Sequence, residues 1–249
     1  MLRTVAATRY VAPFREGGSL PALCEADDDG LYVVKFRGAG QGRKALVAEV
    51  IAGELARALG FAVPELVVAE LDGAFGLAEP DPEIQDLLRL SVGSNLGVDF
   101  LPGAVPLAPA TGQLPGAAAA ADVVWLDAYL TNVDRTARNT NMLWWHGRLY
   151  LIDHGASLYF HHDDRRAAGF ERAPFAAIRE HVLLPYAGSI AEADARLAPR
   201  VTENLVEEVV SLVPYAFLDG DERALYRDYL CARIAAPRSF AEEAERVRP

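Results

Sequence analysis

An α+β fold in two lobes is predicted by three observations. Short β-branched and aromatic runs separated by turn clusters fill roughly the first hundred residues, and segments with helical spacing dominate after Pro174. Between them lies a hairpin flanked by asparagines and aspartates. The chain has 249 residues, 51% of them hydrophobic, and a mean hydropathy of +0.09, a composition that supports a sizeable core and not disorder.

The elements follow in order. Residues 5–14 are a candidate first strand, 20–25 a second with Pro21 tolerated at its start, and 31–36 a third entered through Asp27-Asp28-Asp29-Gly30. Over 45–60 the pattern changes: Leu46, Val47, Val50, Ile51, Leu55 and Leu59 recur at helical spacing, Gly60 is placed to end the helix, and Pro64 blocks continuation. Residues 66–70 and 74–77 flank Leu71-Asp72-Gly73 and read as a second hairpin. The boundary between an N-lobe (1–80) and a mostly helical C-lobe (81–249) is expected near Glu79 to Pro82. Residues 101–121, rich in Ala, Gly and Pro, read as loops, and 118–130 as an apolar helix. Residues 141–145 and 148–152 form a hairpin about His146-Gly147, with Trp144 and Trp145 on opposite faces. Helices are expected over 191–197, 203–212, 221–234 and 240–247.

Bulk charge narrows the partners. A formal net charge of −11 argues against a nucleic-acid backbone as the main partner, but leaves room for ATP, which needs only local cations and metal. Cys24 and Cys231 lack metal-ligand spacing and read as two reduced thiols. The first residues lack the apolar run of a signal peptide, and no segment has the length of a membrane span, so a soluble cytoplasmic protein is expected.

The chemistry concentrates in Asn132-Val133-Asp134-Arg135-Thr136-Ala137-Arg138-Asn139 and, after the hairpin, Ile152-Asp153-His154-Gly155. An Asp, an Asn five positions on, and an Asp closing an apolar strand match the needs of phosphoryl transfer. The first carboxylate orients a nucleophilic hydroxyl, while the amide and the second carboxylate hold Mg²⁺ against phosphates. An acid directly after a buried strand is poorly placed unless a cation meets it. Arg135 is positioned either to hold the loop or to neutralise transferred phosphate.

Lys35, at the end of the third strand, can reach nucleotide phosphates if a helix carboxylate fixes its ammonium. Glu49 and Glu54 are the two acids available; they lie about 140° apart around the helix, and Glu49 sits beside the apolar set. Gly17-Gly18-Ser19, between the first two strands, allows close approach of backbone N–H groups to phosphate. Gly38-Ala39-Gly40-Gln41-Gly42 lacks a P-loop ending and a dinucleotide setting, and reads as a connection. His161-His162-Asp163-Asp164 reads as a solvated loop and not a metal cluster, because consecutive ligands seldom close a site. No Ser-His-Asp, Gly-x-Ser-x-Gly or zinc-hydrolase pattern is present.

These segments, together with Tyr32-Val33-Val34-Lys35-Phe36 and the run from Glu49 through Leu55-Ala56-Arg57-Ala58-Leu59-Gly60 to Val63-Pro64, resemble the HipA-like kinase family, in its short stand-alone branch. The resemblance covers about the first two-thirds of the chain. It implies a protein-kinase-like fold related to the phosphatidylinositol kinases, ATP with Mg²⁺, and usually phosphorylation of serine or threonine. Carried over, Lys35 binds phosphates, Glu49 pairs with it, Asp134 is the catalytic base beside Arg135, and Asn139 and Asp153 ligate the metal. Gly17, Gly18 and Ser19 form the nucleotide loop, with Ser19 the counterpart of a self-phosphorylated serine. The usual Thr-Asp-Arg-His opening is here Val133-Asp134-Arg135-Thr136, which keeps the catalytic Asp. Residues 77–80 are expected to meet the adenine by position. The acceptor is an unidentified protein or small molecule. The rival readings are a small-molecule kinase of the same fold, a nucleotide-binding pseudokinase, and a protein nucleotidyltransferase.

Overall fold

The computed structural model describes residues 1–14, 20–76, 79–162, 169–220 and 222–249. Strands β1 (Arg3–Pro13), β2 (Ala22–Ala26), β3 (Leu31–Lys35), β4 (Leu66–Leu71) and β5 (Gly93–Asp99) close into a barrel in the order β1-β2-β3-β5-β4. The β1–β4 pair is parallel and the others antiparallel. Alternation in β2 and β3 sends Ala22, Cys24, Ala26, Tyr32 and Val34 inward, where burial pushes the Cys24 thiol up to about 12. Cys24 and Cys231 are both free thiols.

Helix α1 (Gly42–Ala58) follows β3 and is buried along most of its length. It ends where Gly60 takes a φ of 96°: the Gly60 N–H donates to Arg57 O (3.0 Å) and the Phe61 N–H to Ala56 O (3.1 Å), closing a Schellman motif. The expected hairpin about Leu71-Asp72-Gly73 does not form. β4 pairs instead with β5, because the barrel cannot close without a strand between β3 and β4. Helix α2 (Pro82–Leu90) lies between them, started by Asp81, whose side chain accepts from the Glu83 N–H at 3.0 Å. The strand-rich part therefore reaches Asp99, past the expected limit at residue 80. Residues 77 and 78, expected near the adenine, lie outside the described residues.

The rest of the chain packs around α3 (Ala117–Leu130), which is buried from Ala120 to Leu130 apart from Asp122 and hence central. Trp125 stacks on Tyr129 at 5.6 Å, and both rings meet Phe240 of α7 (Ser239–Val247) at 5.6 and 5.5 Å. Helices α4 (Ile190–Leu197), α5 (Glu203–Ser211) and α6 (Arg223–Ile234) complete this part close to their expected limits. A small sheet of β6 (Val105–Pro106), β7 (Met142–Trp145) and β8 (Arg148–Leu151) carries the hairpin. His146 and Gly147 both have positive φ, 46° and 74°, as a two-residue hairpin turn requires. Among the described residues no helix is long and apolar enough to cross a membrane.

The expectation of a solvated loop at His161 is corrected. Residues Tyr159–His162 form a 3₁₀ turn in which His161 is buried, with Nδ1 3.2 Å from the Tyr226 hydroxyl. Tertiary packing against α6 supplies the apolar surroundings that the local sequence conceals. Asp163 and Asp164 lie outside the described residues.

One buried arginine fixes the end of α3. Arg233 of α6 donates to Tyr129 O (2.8 Å), Ala128 O (2.9 Å), Glu171 O (3.0 Å) and Ala173 O (3.1 Å). Two of these are carbonyls at the C-terminal end of α3, where a cation is favoured by the helix dipole. Replacing Arg233 with Ala orphans all four and is expected to cost about 3–5 kcal/mol, with Lys recovering only part. Urea-denaturation midpoints measure this, and a loss under about 1 kcal/mol contradicts the assignment.

Candidate active site

Three segments distant in sequence meet at the Lys35 ammonium. Lys35 leaves β3 with its side chain 14% exposed and bridges Glu49 of α1 and, at 2.7 Å, Asp153 Oδ1 just beyond β8. Glu49 is 2% exposed and also accepts from the Gly155 N–H at 2.8 Å. A Cβ on Gly155 would sit 3.3 Å from that same Glu49 oxygen, so glycine permits the approach. Of the two acids considered, it is Glu49 that faces Lys35, whereas Glu54 pairs with Arg57 at 3.3 Å. Burial opposes the charge on Lys35, but Glu49 and Asp153 outweigh it and push the ammonium above its ordinary range. Burial pushes the Glu49 carboxyl up, with Lys35 pulling the other way. Lys35 holds Asp153 down at about 2. Asp153 has a φ of 52°, a left-handed conformation costly for a residue with a Cβ and common at ligand-binding sites.

Asp134 lies on the loop between α3 and β7. Asn139 donates to Asp134 Oδ2 at 2.7 Å and Asn141 to the same oxygen at 3.3 Å. The backbone N–H of Asp134 donates to Asn132 Oδ1 at 3.1 Å. Burial, and then the negative charge of Asp153, push the Asp134 carboxyl above its ordinary range. The two acids of the expected spacing thus sense one another across the site. The Lys35 ammonium is shared by two carboxylates, Glu49 and Asp153, and a third, Asp134, is close enough to feel the charge of Asp153, a concentration of negative charge suited to a cation.

The donor set fits Mg²⁺. The carboxylate of Asp153 and the amide oxygen of Asn139, whose nitrogen is turned to Asp134, are hard oxygen donors of the kind Mg²⁺ takes. Among the described residues no group of three or more His, Cys, Asp or Glu forms a metal cage. A Mg²⁺ that is also held by nucleotide phosphates needs only one or two protein carboxylates.

Comparison with known proteins follows the same lines. A family model described as HipA-like kinase matches residues 8–214. The chain belongs to the HipA-like kinase family. The crystal structure of a Helicobacter pylori proinflammatory kinase, CtkA, shares this fold with a TM-score of 0.60 at 14% identity, over 98% of each chain. No curated protein matches the chain in sequence.

Within this HipA-like chain, Arg135 departs from the expectation of a catalytic contact. Its guanidinium is buried: Nε donates to Asp127 Oδ2 at 2.5 Å, Nη1 to Asn141 O, and Nη2 lies 3.4 Å from His154 Nδ1. With no exposed side-chain surface it cannot meet a phosphate here, so of the two roles considered the geometry supports holding the loop. Gly17, Gly18 and Ser19 lie outside the described residues.

Asp127, His181 and His154 were not anticipated. Asp127 is fully buried in α3 and accepts from Asn132 Nδ2 (3.1 Å), Arg135 Nε (2.5 Å) and His181 Nε2 (2.8 Å). Burial works against its charge, yet Arg135 and His181 overcome that and hold the carboxyl well below the usual range. A signal existed, since an acid between Leu126 and Ala128 in the most apolar part of the helix needs a buried partner. His154 left no such signal beyond its place after Asp153.

His154 has a pH consequence. Burial first, and then the charge of Arg135, push its imidazole from 6.5 down to about 3, so the folded protein holds it neutral. Between those values the unfolded chain binds a proton that the folded chain does not. Stability therefore falls as pH is lowered through this window, by up to about 1.4 kcal/mol per unit from this residue. Urea midpoints at pH 7, 6 and 5 in EDTA should fall less steeply in His154→Asn than in the wild type; equal slopes would contradict the assignment.

Proposed function

We propose that this chain is an ATP- and Mg²⁺-dependent kinase with a two-lobed, protein-kinase-like fold. The barrel with α1 is the N-lobe, the helical remainder is the C-lobe, and the nucleotide lies between them. The acceptor is a Ser or Thr hydroxyl, on a partner protein or on the chain itself. One observation carries the reading: Lys35, Glu49 and Asp153 converge from three segments, with Asp134 near enough for Asp153 to shift its titration.

Lys35 holds the α- and β-phosphates, kept charged and oriented by buried Glu49. Asn139 and Asp153 are the metal ligands, and Mg²⁺ bound there supplies Lewis-acid neutralisation of phosphate charge. Asp134, kept in place by Asn139 and Asn141, orients the acceptor hydroxyl and takes its proton. The acceptor oxygen bonds to the γ-phosphorus as the bond to the β–γ bridging oxygen breaks, and ADP leaves with that electron pair. Gly17, Gly18 and Ser19, between β1 and β2, are the proposed phosphate loop. Arg135 serves as a support for the loop and not as a catalytic group.

Purified protein with γ-labelled ATP, Mg²⁺ and cell lysate should transfer label, to itself or to an acceptor. Asp134→Ala should lower turnover by on the order of 10²–10⁴-fold while ATP still binds. Lys35→Met should weaken ATP binding itself. Unchanged transfer in Asp134→Ala contradicts the assignment of the base. ATP binding without any transfer makes the chain a pseudokinase, and an adenylyl mass increment makes it a nucleotidyltransferase.

A further inference from the structure

Behind the expected catalytic loop lies a buried polar centre to which kinase chemistry as proposed above gives no part. Asp127 is the hub. Its Oδ1 accepts from Asn132, and its Oδ2 accepts from Arg135 and His181. Each partner leads to the site by a different route. Asn132 passes the contact on through Oδ1, which accepts the backbone N–H of Asp134 at 3.1 Å. Arg135 reaches the carbonyl of Asn141, whose own side chain donates to Asp134, and meets His154, the neighbour of Asp153. His181 closes the centre from the far end of the segment that begins at Asp153. Its Nδ1 accepts the Leu183 N–H at 3.1 Å, which leaves Nε2 as the protonated nitrogen donating to Asp127. Thr136 and His181 form an isolated antiparallel bridge, and the Val182 N–H donates to Arg135 O at 3.1 Å.

We propose that Asp127 is a positioning residue for phosphoryl transfer: its carboxylate, through Asn132, Arg135 and His181, fixes where Asp134 stands and locks the returning end of the 153–182 segment to the catalytic loop. The proposal rests on the kinase reading, and assigns Asp127 and His181 no contact with substrate. A carboxylate on the central, rigid helix is the right anchor for this task, since displacing a catalytic group by about 1 Å can cost on the order of 10²-fold in rate. It also follows that the loop arginine is satisfied from within. His181 ties its own stretch of chain to the loop by donating to Asp127 and pairing with Thr136.

The test uses two variants of the full chain, because Asp127→Asn leaves the Arg135 charge buried without its partner and can fail to fold. Asn132→Ala cuts the shortest link to Asp134 without burying a charge. In each variant that retains a cooperative thermal transition, kcat should fall about 10- to 100-fold while the dissociation constant for ATP with Mg²⁺ stays within about twofold. Adding Asn132→Ala to Asp134→Ala should cost nothing further in turnover, since the residue acts through Asp134. Amide hydrogen exchange supplies a readout independent of catalysis: protection should drop at residues 132–136 while β4 and β5 are unchanged. Loss of ATP affinity in step with kcat, or unaltered exchange at 132–136, overturns the proposal. If the wild type transfers no phosphoryl group and the exchange response is still seen, the kinase reading fails and the anchoring of the loop stands.

Discussion

The ammonium of Lys35 is the point on which the rest of the structure depends. It joins the barrel, helix α1 and the segment after β8 by charge, and the groups it joins are costly to leave alone. Glu49 is 2% exposed, and an uncompensated carboxylate at that depth costs several kcal/mol. Helix α1 must therefore turn Glu49 toward β3, which places its apolar residues in the larger core, where they join Leu66 and Leu96 of the barrel and the residues of α3. Asp153 must leave β8 in a left-handed conformation for its carboxylate to reach the same ammonium.

A second buried network, centred on Asp127, stands behind the first, and three consecutive residues join the two. Asp153 binds Lys35, His154 faces Arg135, and the Gly155 N–H donates to Glu49. A change in this tripeptide would be felt at the helix, the barrel and the loop together. Burial, and then the guanidinium of Arg135 that a protonated ring would face, keep the imidazole at 154 neutral.

Much of this was legible in the sequence where local signals and tertiary demand agree. Helix α3 reads as buried because it has no polar face, and the β7–β8 hairpin because His146-Gly147 suits a turn with positive φ. The pairing of Lys35 with Glu49 follows from one strand end and one helical face. Strand β5 was hidden: Gly93-Ser94-Asn95-Leu96-Gly97-Val98-Asp99 has two glycines and little alternation, and becomes a strand only because β3 and β4 both need a neighbour. Helix α2, with only Ile84 and Leu88 buried, was too short a stripe to stand out from a linker. At the site, the types and spacing of Asp134, Asn139 and Asp153 were readable. The destination of Arg135 was not, since its partners Asp127 and His154 are set by packing over 8 and 19 residues.

A crystal structure with Mg²⁺ and a non-hydrolysable ATP analogue tests the central claim most directly. The account predicts the analogue's phosphates against Lys35, the metal between Asn139 and Asp153, and the γ-phosphorus facing Asp134. An analogue bound elsewhere at saturating concentration, or bound with Asp153 off the metal and Lys35 off the phosphates, would contradict it.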